Sequence, residues 1–401
     1  MKIKYQLLLY ILLLPVVSWG QKVLYVQSPD RKIELQVMIG QELEIAIIRN
    51  GTTVLQPSAI GMDVRFIGIL GENPKLKSVS RRSVTEKLSS PIYIKDEVDN
   101  IYNELTASFR GNYSVVFRCY NQGVAYRFVT DFKEREIVIN NEKAVFHFPS
   151  GTKGYAAYSN YGDDNDLSSQ YLNSFENTYD NQLLSQLNSR RLIFYPFLVE
   201  LPDKFEKICI TESDLRDYPG MFLQSSPDSF SMKGVWAPLP EKTVQGGHNQ
   251  LQQIVVKRYD YIAHTNGKRT FPWRIFTIAE QDRELLDNDL VYLLATPSVL
   301  KDISWIKPGK VAWDWWNDWN ISKVDFRAGI NNETYKYYID FAAINQIKYV
   351  ILDEGWAVNQ QADMLQVIPE IDLTELVSYA KSKNVDIILW AGYWAFHRDM
   401  E

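Results

Sequence analysis

Two neighbouring carboxylates follow a wholly apolar run late in the chain. Asp353 and Glu354 come directly after Tyr349-Val350-Ile351-Leu352 and directly before Gly355-Trp356. Carboxylates are costly to desolvate, so their position at the end of a buried strand indicates a polar pocket above that strand. The alternative is that one of the two acids only caps the next element. The pair Asp314 and Asp318, in Ala312-Trp313-Asp314-Trp315-Trp316-Asn317-Asp318, is a weaker case of the same kind.

Tryptophan is concentrated in the same part of the chain. Eight of the 11 tryptophans lie after residue 300, namely Trp305, Trp313, Trp315, Trp316, Trp319, Trp356, Trp390 and Trp394. Flat amphipathic rings suit the apolar faces of sugars, while carboxylates hold the hydroxyl groups. Ordinary packing is the alternative for any single ring. The cluster predicts a carbohydrate site formed by Trp313, Trp315, Trp356 and Trp390 together with Asp314, Asp353 and Glu354.

Composition argues against several other functions. The chain contains no Gly-x-Ser-x-Gly, His-Glu-x-x-His or Cys-x-x-Cys motif, and its four histidines give little support to a zinc site. Two cysteines are too few for a disulfide scaffold. A net charge of -6 without a block of Lys or Arg argues against nucleic acid or an anionic membrane as a partner.

The N-terminus has the pattern of an export signal. Lys2 and Lys4 precede an apolar run from Leu7 to Val17, which is followed by the small residues Ser18 and Gly20. Such a run is too short to cross a bilayer, so residues 1–20 are predicted to be a cleaved signal peptide rather than an anchor. We therefore expect a secreted or periplasmic protein that is not inserted in the membrane after cleavage.

Residues 21–300 have the pattern of a large antiparallel β-sandwich. Short alternating segments are separated by turn residues, for example at Asn50-Gly51. Predicted strands are 32–37, 43–48, 113–120, 125–130 and 136–139. The polar stretch 167–187 is the one helix expected in this part.

Residues 301–401 alternate strands and helices instead. Strands are predicted at 311–315, 348–353 and 386–390, with helices at 332–345 and 373–383 between them. Three βα units in succession imply a parallel sheet, belonging either to a (β/α)₈ barrel or to a doubly wound sheet. Since three strands cannot close a barrel, we expect the chain to stop before the barrel is complete.

The order of short motifs resembles glycoside hydrolase family 97. The similar stretches are Trp305-Ile306-Lys307-Pro308-Gly309-Lys310, Trp313-Asp314-Trp315-Trp316, Tyr338-Ile339-Asp340-Phe341-Ala342-Ala343 and Leu352-Asp353-Glu354-Gly355-Trp356, with Ser28-Pro29-Asp30, Tyr102-Asn103-Glu104-Leu105, Gly123-Val124-Ala125-Tyr126-Arg127-Phe128 and Pro272-Trp273-Arg274 earlier in the chain. The resemblance implies a β-super-sandwich followed by a (β/α)₈ barrel in an exported, calcium-dependent α-glycosidase. It also implies that Glu354 binds substrate and that Glu176 is a calcium ligand.

One departure from the family pattern selects a branch. Inverting members resemble one another in a Glu base after the third barrel strand, where this chain has Leu389-Trp390-Ala391-Gly392-Tyr393. The resemblance is therefore to the retaining, α-galactosidase-like branch, in which an Asp nucleophile and a Glu acid/base would follow Glu401. The expected substrate is a terminal α-galactoside. The alternatives are an α-glucosidase of the same fold and a non-catalytic carbohydrate-binding protein.

Overall fold

A computed structural model describes residues 22–89, 92–171, 175–202, 206–227, 229–358 and 363–398. The predicted signal peptide, residues 1–20, lies outside the described residues. Two regions follow one another along the described chain: an antiparallel β region, and a smaller region of parallel strands and helices. No described helix has both the length and the apolar character needed to cross a membrane.

The antiparallel region contains strands β1 to β19 and two short helices. The strands are β1 (Lys22–Gln27), β2 (Ile33–Ile39), β3 (Leu43–Arg49), β4 (Thr52–Val64), β5 (Gly68–Leu70), β6 (Leu76–Ser89), β7 (Glu97–Phe109), β8 (Tyr113–Tyr120), β9 (Gly123–His147), β10 (Lys153–Ala156), β11 (Asp180–Leu183), β12 (Phe197–Glu200), β13 (Lys207–Ser213), β14 (Met221–Ser225), β15 (Ser231–Trp236), β16 (Pro240–Gly246), β17 (Gln252–Arg258), β18 (Ala263–Thr270) and β19 (Trp273–Ala279). Helices α1 (Asp282–Leu286) and α2 (Leu290–Leu294) follow.

Hydrogen bonds join all of these strands except β16 and β17 into one connected antiparallel network. The 25-residue strand β9 is its centre. The first part of β9 pairs with β8 and β19, its middle pairs with β18, and its last part pairs with β4 and β15. Strands β16 and β17 form a separate hairpin. The prediction of antiparallel structure is therefore confirmed.

Local sequence explains much of this region. Strands β2 and β3 alternate between buried and partly exposed residues over much of their length, as a sheet with one face on a core requires. Asn50 and Gly51 join β3 to β4 with φ angles of 48° and 79°, the left-handed values that a tight hairpin turn needs. The predicted strands 125–130 and 136–139 are both parts of β9. Their separation was wrong because the intervening charged residues remain in extended conformation.

The predicted helix at 167–187 is also wrong. Its described residues form a short 3-10 helix (Leu167–Tyr171), strand β11 and a second 3-10 turn (Leu184–Gln186). The stretch is polar and has no continuous apolar stripe, so it has little to bury as a helix. Pairing of β11 with β10 determines its conformation instead. Helices α1 and α2, which the strand pattern did not predict, lie beside β13 and β19.

The second region has a three-stranded parallel sheet. Its elements are β20 (Val311–Trp313), α3 (Asn332–Ile344), β21 (Tyr349–Leu352), β22 (Ala357–Val358), β23 (Asp363–Val367), α4 (Leu373–Ser382), β24 (Asp386–Leu389) and α5 (Tyr393–Arg398). Strand β21 lies between β20 and β24 and is parallel to both. The predicted order of strands and helices is thus confirmed, whereas the small hairpin β22–β23 was not predicted.

Capping residues set the starts of the two longer helices. Asn331 accepts a hydrogen bond from the Thr334 amide at 2.9 Å before α3, and Asp372 accepts one from the Glu375 amide at 2.9 Å before α4. Helix α3 packs on β20 and β21, helix α4 packs on β24 and on α3, and together they surround a core separate from that of the antiparallel region. Its fully buried members include Tyr335, Ile339, Ala342, Val350, Leu352 and Leu376. This core holds the parallel strands in place and so determines where their C-terminal ends lie.

Candidate active site

Strand β21 delivers two carboxylates to its C-terminal end. Val350 and Leu352 are fully buried, which holds the strand in the core up to the residue before Asp353. The chain then turns at Gly355, whose φ is 112°. A Cβ there would lie 2.4 Å from Ile330 Cδ1, so only glycine fits this turn without a shift. Asp353 and Glu354 therefore lie together at the strand end, as the sequence predicted.

Asp353 is only 5% exposed and is held by two donors. The Trp313 indole Nε1–H donates to its Oδ2, and the Glu354 amide donates to its Oδ1 at 2.6 Å. Buried carboxylate oxygens in proteins normally have hydrogen-bond partners of this kind. Residue 353 thus links the ends of β20 and β21, and it fixes the orientation of the Trp313 ring.

Asp314 lies deeper than the sequence suggested. It is fully buried and accepts hydrogen bonds from the Trp315 amide at 2.7 Å and from Trp319 Nε1 at 2.9 Å. Burial raises the pKa of its carboxyl above the usual range, although these donors oppose the shift. Burial likewise raises the pKa of the neighbouring Tyr335 hydroxyl. Asp314 organises the turn after β20, and its predicted contact with sugar stays a prediction.

Three tryptophans form an aromatic surface beside these acids. The Trp313 ring centroid lies 5.4 Å from that of Trp315 and 6.1 Å from that of Trp316. Their exposed fractions are 38%, 52% and 77%. Large apolar rings that remain open to solvent in one cluster are typical of a binding surface. The rings of Trp313 and Trp315 are therefore partly open to solvent, and their predicted contacts with sugar stay predictions.

Trp356 and Trp390 have different surroundings. Trp356 is 5% exposed, and its Nε1–H donates to the Trp390 carbonyl at 2.8 Å. The Trp390 amide in turn donates to the Leu352 carbonyl at 2.9 Å. The ordinary packing alternative therefore describes Trp356 well, because its ring ties the end of β21 to the end of β24. Trp390 is half-buried in a crevice shared with Glu354 and Leu251.

The antiparallel region contributes to the same place. The loop between β16 and β17 brings Asn249 to Glu354, so that Asn249 Nδ2 donates to Glu354 Oε1. His248 Nε2 lies 4.0 Å from Glu354 Oε2. Sequence reasoning missed both residues. The only local signal was the pair Gly246-Gly247, which indicates a turn but not what the turn approaches.

Glu176, the predicted calcium ligand, is exposed. Neighbouring Phe175 packs against Tyr179 and Phe194, with ring centroids 4.9 and 6.4 Å away. Among the described residues, no group of three or more His, Cys, Asp or Glu side chains converges as a metal site would require. Glu176 is a hard oxygen donor of the type calcium prefers, and its role as a calcium ligand stays a prediction.

Comparison with known proteins agrees with this architecture. Residues 26–297 match the family model described as glycosyl-hydrolase 97 N-terminal, and residues 315–401 match the model for glycoside hydrolase 97. Among solved structures, a glycoside hydrolase family 97 enzyme from Pseudoalteromonas sp. strain K8, in complex with acarbose, has a TM-score of 0.73. It is 22% identical to this chain, and the match covers 91% of this chain and 53% of the other.

Two curated relatives are also similar in sequence. A retaining alpha-galactosidase of Bacteroides thetaiotaomicron is 52% identical over 382 residues, which are 95% of this chain and 57% of the relative. A probable retaining alpha-galactosidase of Streptomyces bingchenggensis is 24% identical over 390 residues, or 93% and 52% of the two chains. The chain thus spans about half the length of these relatives. The two family models and the 52% identity show that the chain belongs to glycoside hydrolase family 97.

Proposed function

We propose that this chain is the sugar-recognition part of an exported retaining α-galactosidase. The observation that carries the proposal is the meeting of Glu354, Asp353 and the Trp313 ring at the C-terminal ends of parallel strands. The 52% identity to a retaining alpha-galactosidase supports this choice of activity. The absence of a carboxylate from residues 389–393, at the C-terminal end of β24, supports the retaining branch.

In the proposed reaction a carboxylate attacks the anomeric carbon of a terminal α-galactoside while an acid protonates the departing oxygen. The glycosidic C–O bond breaks, a covalent glycosyl-enzyme forms, and water then releases the sugar with its configuration retained. None of the described carboxylates is assigned as nucleophile or acid/base. The described residues bind and orient: Glu354 accepts sugar hydroxyl groups, and the Trp313 and Trp315 rings cover an apolar sugar face.

Calcium is part of the proposal. It would be held in part by the carboxylate of Glu176, and would offset the negative charge of neighbouring carboxylates beside the substrate. Support comes from the resemblance and from the oxygen chemistry of this side chain. The further ligands are not assigned to described residues.

We further propose that the three-stranded parallel sheet belongs to a (β/α)₈ barrel and that the antiparallel strands pack as a sandwich. The family resemblance supports both. Export rests on the pattern of residues 1–20, whose basic start and short apolar run are typical of a signal peptide.

The test uses protein expressed from the complete reading frame of the gene. Hydrolysis of an aryl α-galactoside and an aryl α-glucoside is measured with calcium and with a chelator, and the first-formed anomer is identified by NMR. We expect galactoside turnover that depends on calcium and gives α-galactose first. Faster glucoside turnover, β-anomer product or no turnover of either compound would overturn the proposal. Glu354→Gln is expected to weaken binding, whereas Gln253→Glu, in strand β17, should leave it unchanged.

A further inference from the structure

The loop between β16 and β17 reaches Glu354 from a different region of the fold. Asn249 and Glu354 are 105 positions apart, yet the Asn249 side-chain amide donates directly to the Glu354 carboxylate. Asn249 Nδ2 also lies 3.1 Å from His248 Nε2. Since a carboxylate only accepts hydrogen bonds, the NH₂ group of Asn249, and not its oxygen, must face Glu354. The contact is therefore a hydrogen bond to a charged group, which is among the stronger kinds.

The backbone of the loop is shaped to present this amide. Asn249 has φ 49° and ψ 25°, and Gln250 has φ 61°, so two successive residues with side chains are left-handed. Asparagine tolerates this conformation better than most residues. The loop is closed by hydrogen bonds from the Gln250 amide to the Gly247 carbonyl at 3.2 Å and from Gln245 Nε2 to the Gln250 carbonyl at 2.9 Å.

A second anchor holds the loop against the parallel region. Leu251 is 7% exposed, and its carbonyl accepts a hydrogen bond from the Trp394 amide at 3.0 Å. A Cβ on Gly392 would lie 2.6 Å from Leu251 Cβ and 2.9 Å from its carbonyl oxygen. Glycine at 392 therefore permits the close approach. Because Leu251 is held against the parallel region, Asn249, two residues earlier in the same loop, is held close to Glu354.

We propose that Asn249 is a positioning residue that orients the Glu354 carboxylate, so that a loop of the antiparallel region forms one wall of the sugar site. If the loop only packed the antiparallel region against the parallel region, Leu251 would be sufficient for that contact. The Asn249 amide is instead directed at the one acid that the resemblance assigns to substrate binding. The inference rests on the proposed function, because it takes Glu354 to bind the sugar.

The experiment compares two glycine variants of the same loop. Asn249→Gly removes the amide, and Gln250→Gly removes the neighbouring exposed side chain; glycine adopts both left-handed conformations without strain. Galactose affinity is measured by titration calorimetry on the protein from the complete reading frame, and thermal midpoints are recorded for each variant. Asn249→Gly should weaken binding about tenfold, which corresponds to about 1.4 kcal/mol. Gln250→Gly should bind as the parent does, and the two variants should unfold at the same temperature.

A conservative variant separates positioning from loop shape. Asn249→Gln keeps an amide donor, and glutamine already occupies the adjacent left-handed position, so this variant should regain most of the lost affinity. Equal weakening by both glycine substitutions, or unchanged affinity in Asn249→Gly, would overturn the inference. If the parent binds no sugar, the proposed function fails on its own. Crystal structures of the two glycine variants then decide the inference: the Glu354 carboxylate must reorient in Asn249→Gly alone, and an unmoved carboxylate overturns it.

Discussion

The positively charged side chain of Arg274 is buried in the antiparallel region, and we expect its removal to lower stability strongly. Its side chain is 1% exposed and donates from Nε to Glu142 Oε1 at 2.9 Å and from Nη2 to Glu142 Oε2 at 2.7 Å. Its Nη1 donates to Glu212. Arg274→Met would leave two buried carboxylates without a cation. Breaking a buried pair in this way costs about 3–5 kcal/mol.

The matched control is Arg82→Met. Arg82 Nε lies 2.6 Å from Glu104 Oε1, a shorter contact than either of those to Glu142, but its side chain is 57% exposed. Glu104 also keeps Arg118 as a partner at 2.8 Å. Glu104 is itself buried, but it keeps a cation when Arg82 is removed, so losing a pair whose arginine is this exposed should cost about 0–1 kcal/mol. The two variants therefore differ in the burial of the arginine and in whether the carboxylate keeps a second cation.

Thermal unfolding followed by the strand signal in circular dichroism measures the difference. At about 2–4 °C per kcal/mol for a domain of this size, Arg274→Met should lower the midpoint by roughly 6–20 °C. Arg82→Met should lower it by less than about 4 °C. Replacing Glu142 and Glu212 by Gln in the Arg274→Met background should restore part of the loss. Equal shifts for the two single variants would refute the reasoning from burial.

The pH dependence provides a second check on the same variant. Burial already raises the pKa of Glu212 in the parent protein. A carboxyl with a raised folded-state pKa favours the folded state when protonated, and that contribution is lost as the pH rises through the folded pKa. Without Arg274 this effect should strengthen. The loss of stability of Arg274→Met relative to the parent protein should therefore be smaller at pH 5 than at pH 8. A deficit that is the same at both values would contradict this account.

Two further predictions concern the site. Trp313→Phe removes the donor to Asp353 and should lower the free energy of unfolding of the parallel region by about 1.5–3 kcal/mol. Trp316→Phe, in the same aromatic cluster, should change it by less than about 0.5 kcal/mol. Chemical unfolding followed by Trp fluorescence measures both variants, and equal losses would disprove the role of the indole N–H. Since burial raises the pKa of Asp314, the parent protein should lose stability as the pH rises from near 4 through that raised value, whereas Asp314→Asn should not. The unfolding free energies of parent and variant, measured across that range, should therefore converge at low pH. A difference between them that is independent of pH would contradict the prediction.

Local sequence determined the backbone conformation of most elements in the parallel region. An apolar run that ends in Asp353-Glu354 is a buried strand with acids at its mouth, and periodic apolar residues between strands form helices α3 and α4. In the antiparallel region, Asn50-Gly51 specified its hairpin turn because few other residue pairs adopt its φ angles. The order of the motifs was sufficient to indicate the family.

Tertiary structure alone decided how the acids are used. Residue patterns report which face of an element is buried, but they do not report which loop from another region meets it. Asp314 and Asp353–Glu354 had similar contexts in the sequence, yet Asp314 is fully enclosed by its own turn while Glu354 faces a loop 105 positions away. The helix expected at 167–187 became strand β11 because β10 offered a partner for its backbone. The contact to Glu354 depends on the relative placement of the two regions, whereas the conformation of β11 depends on strand pairing within the antiparallel region.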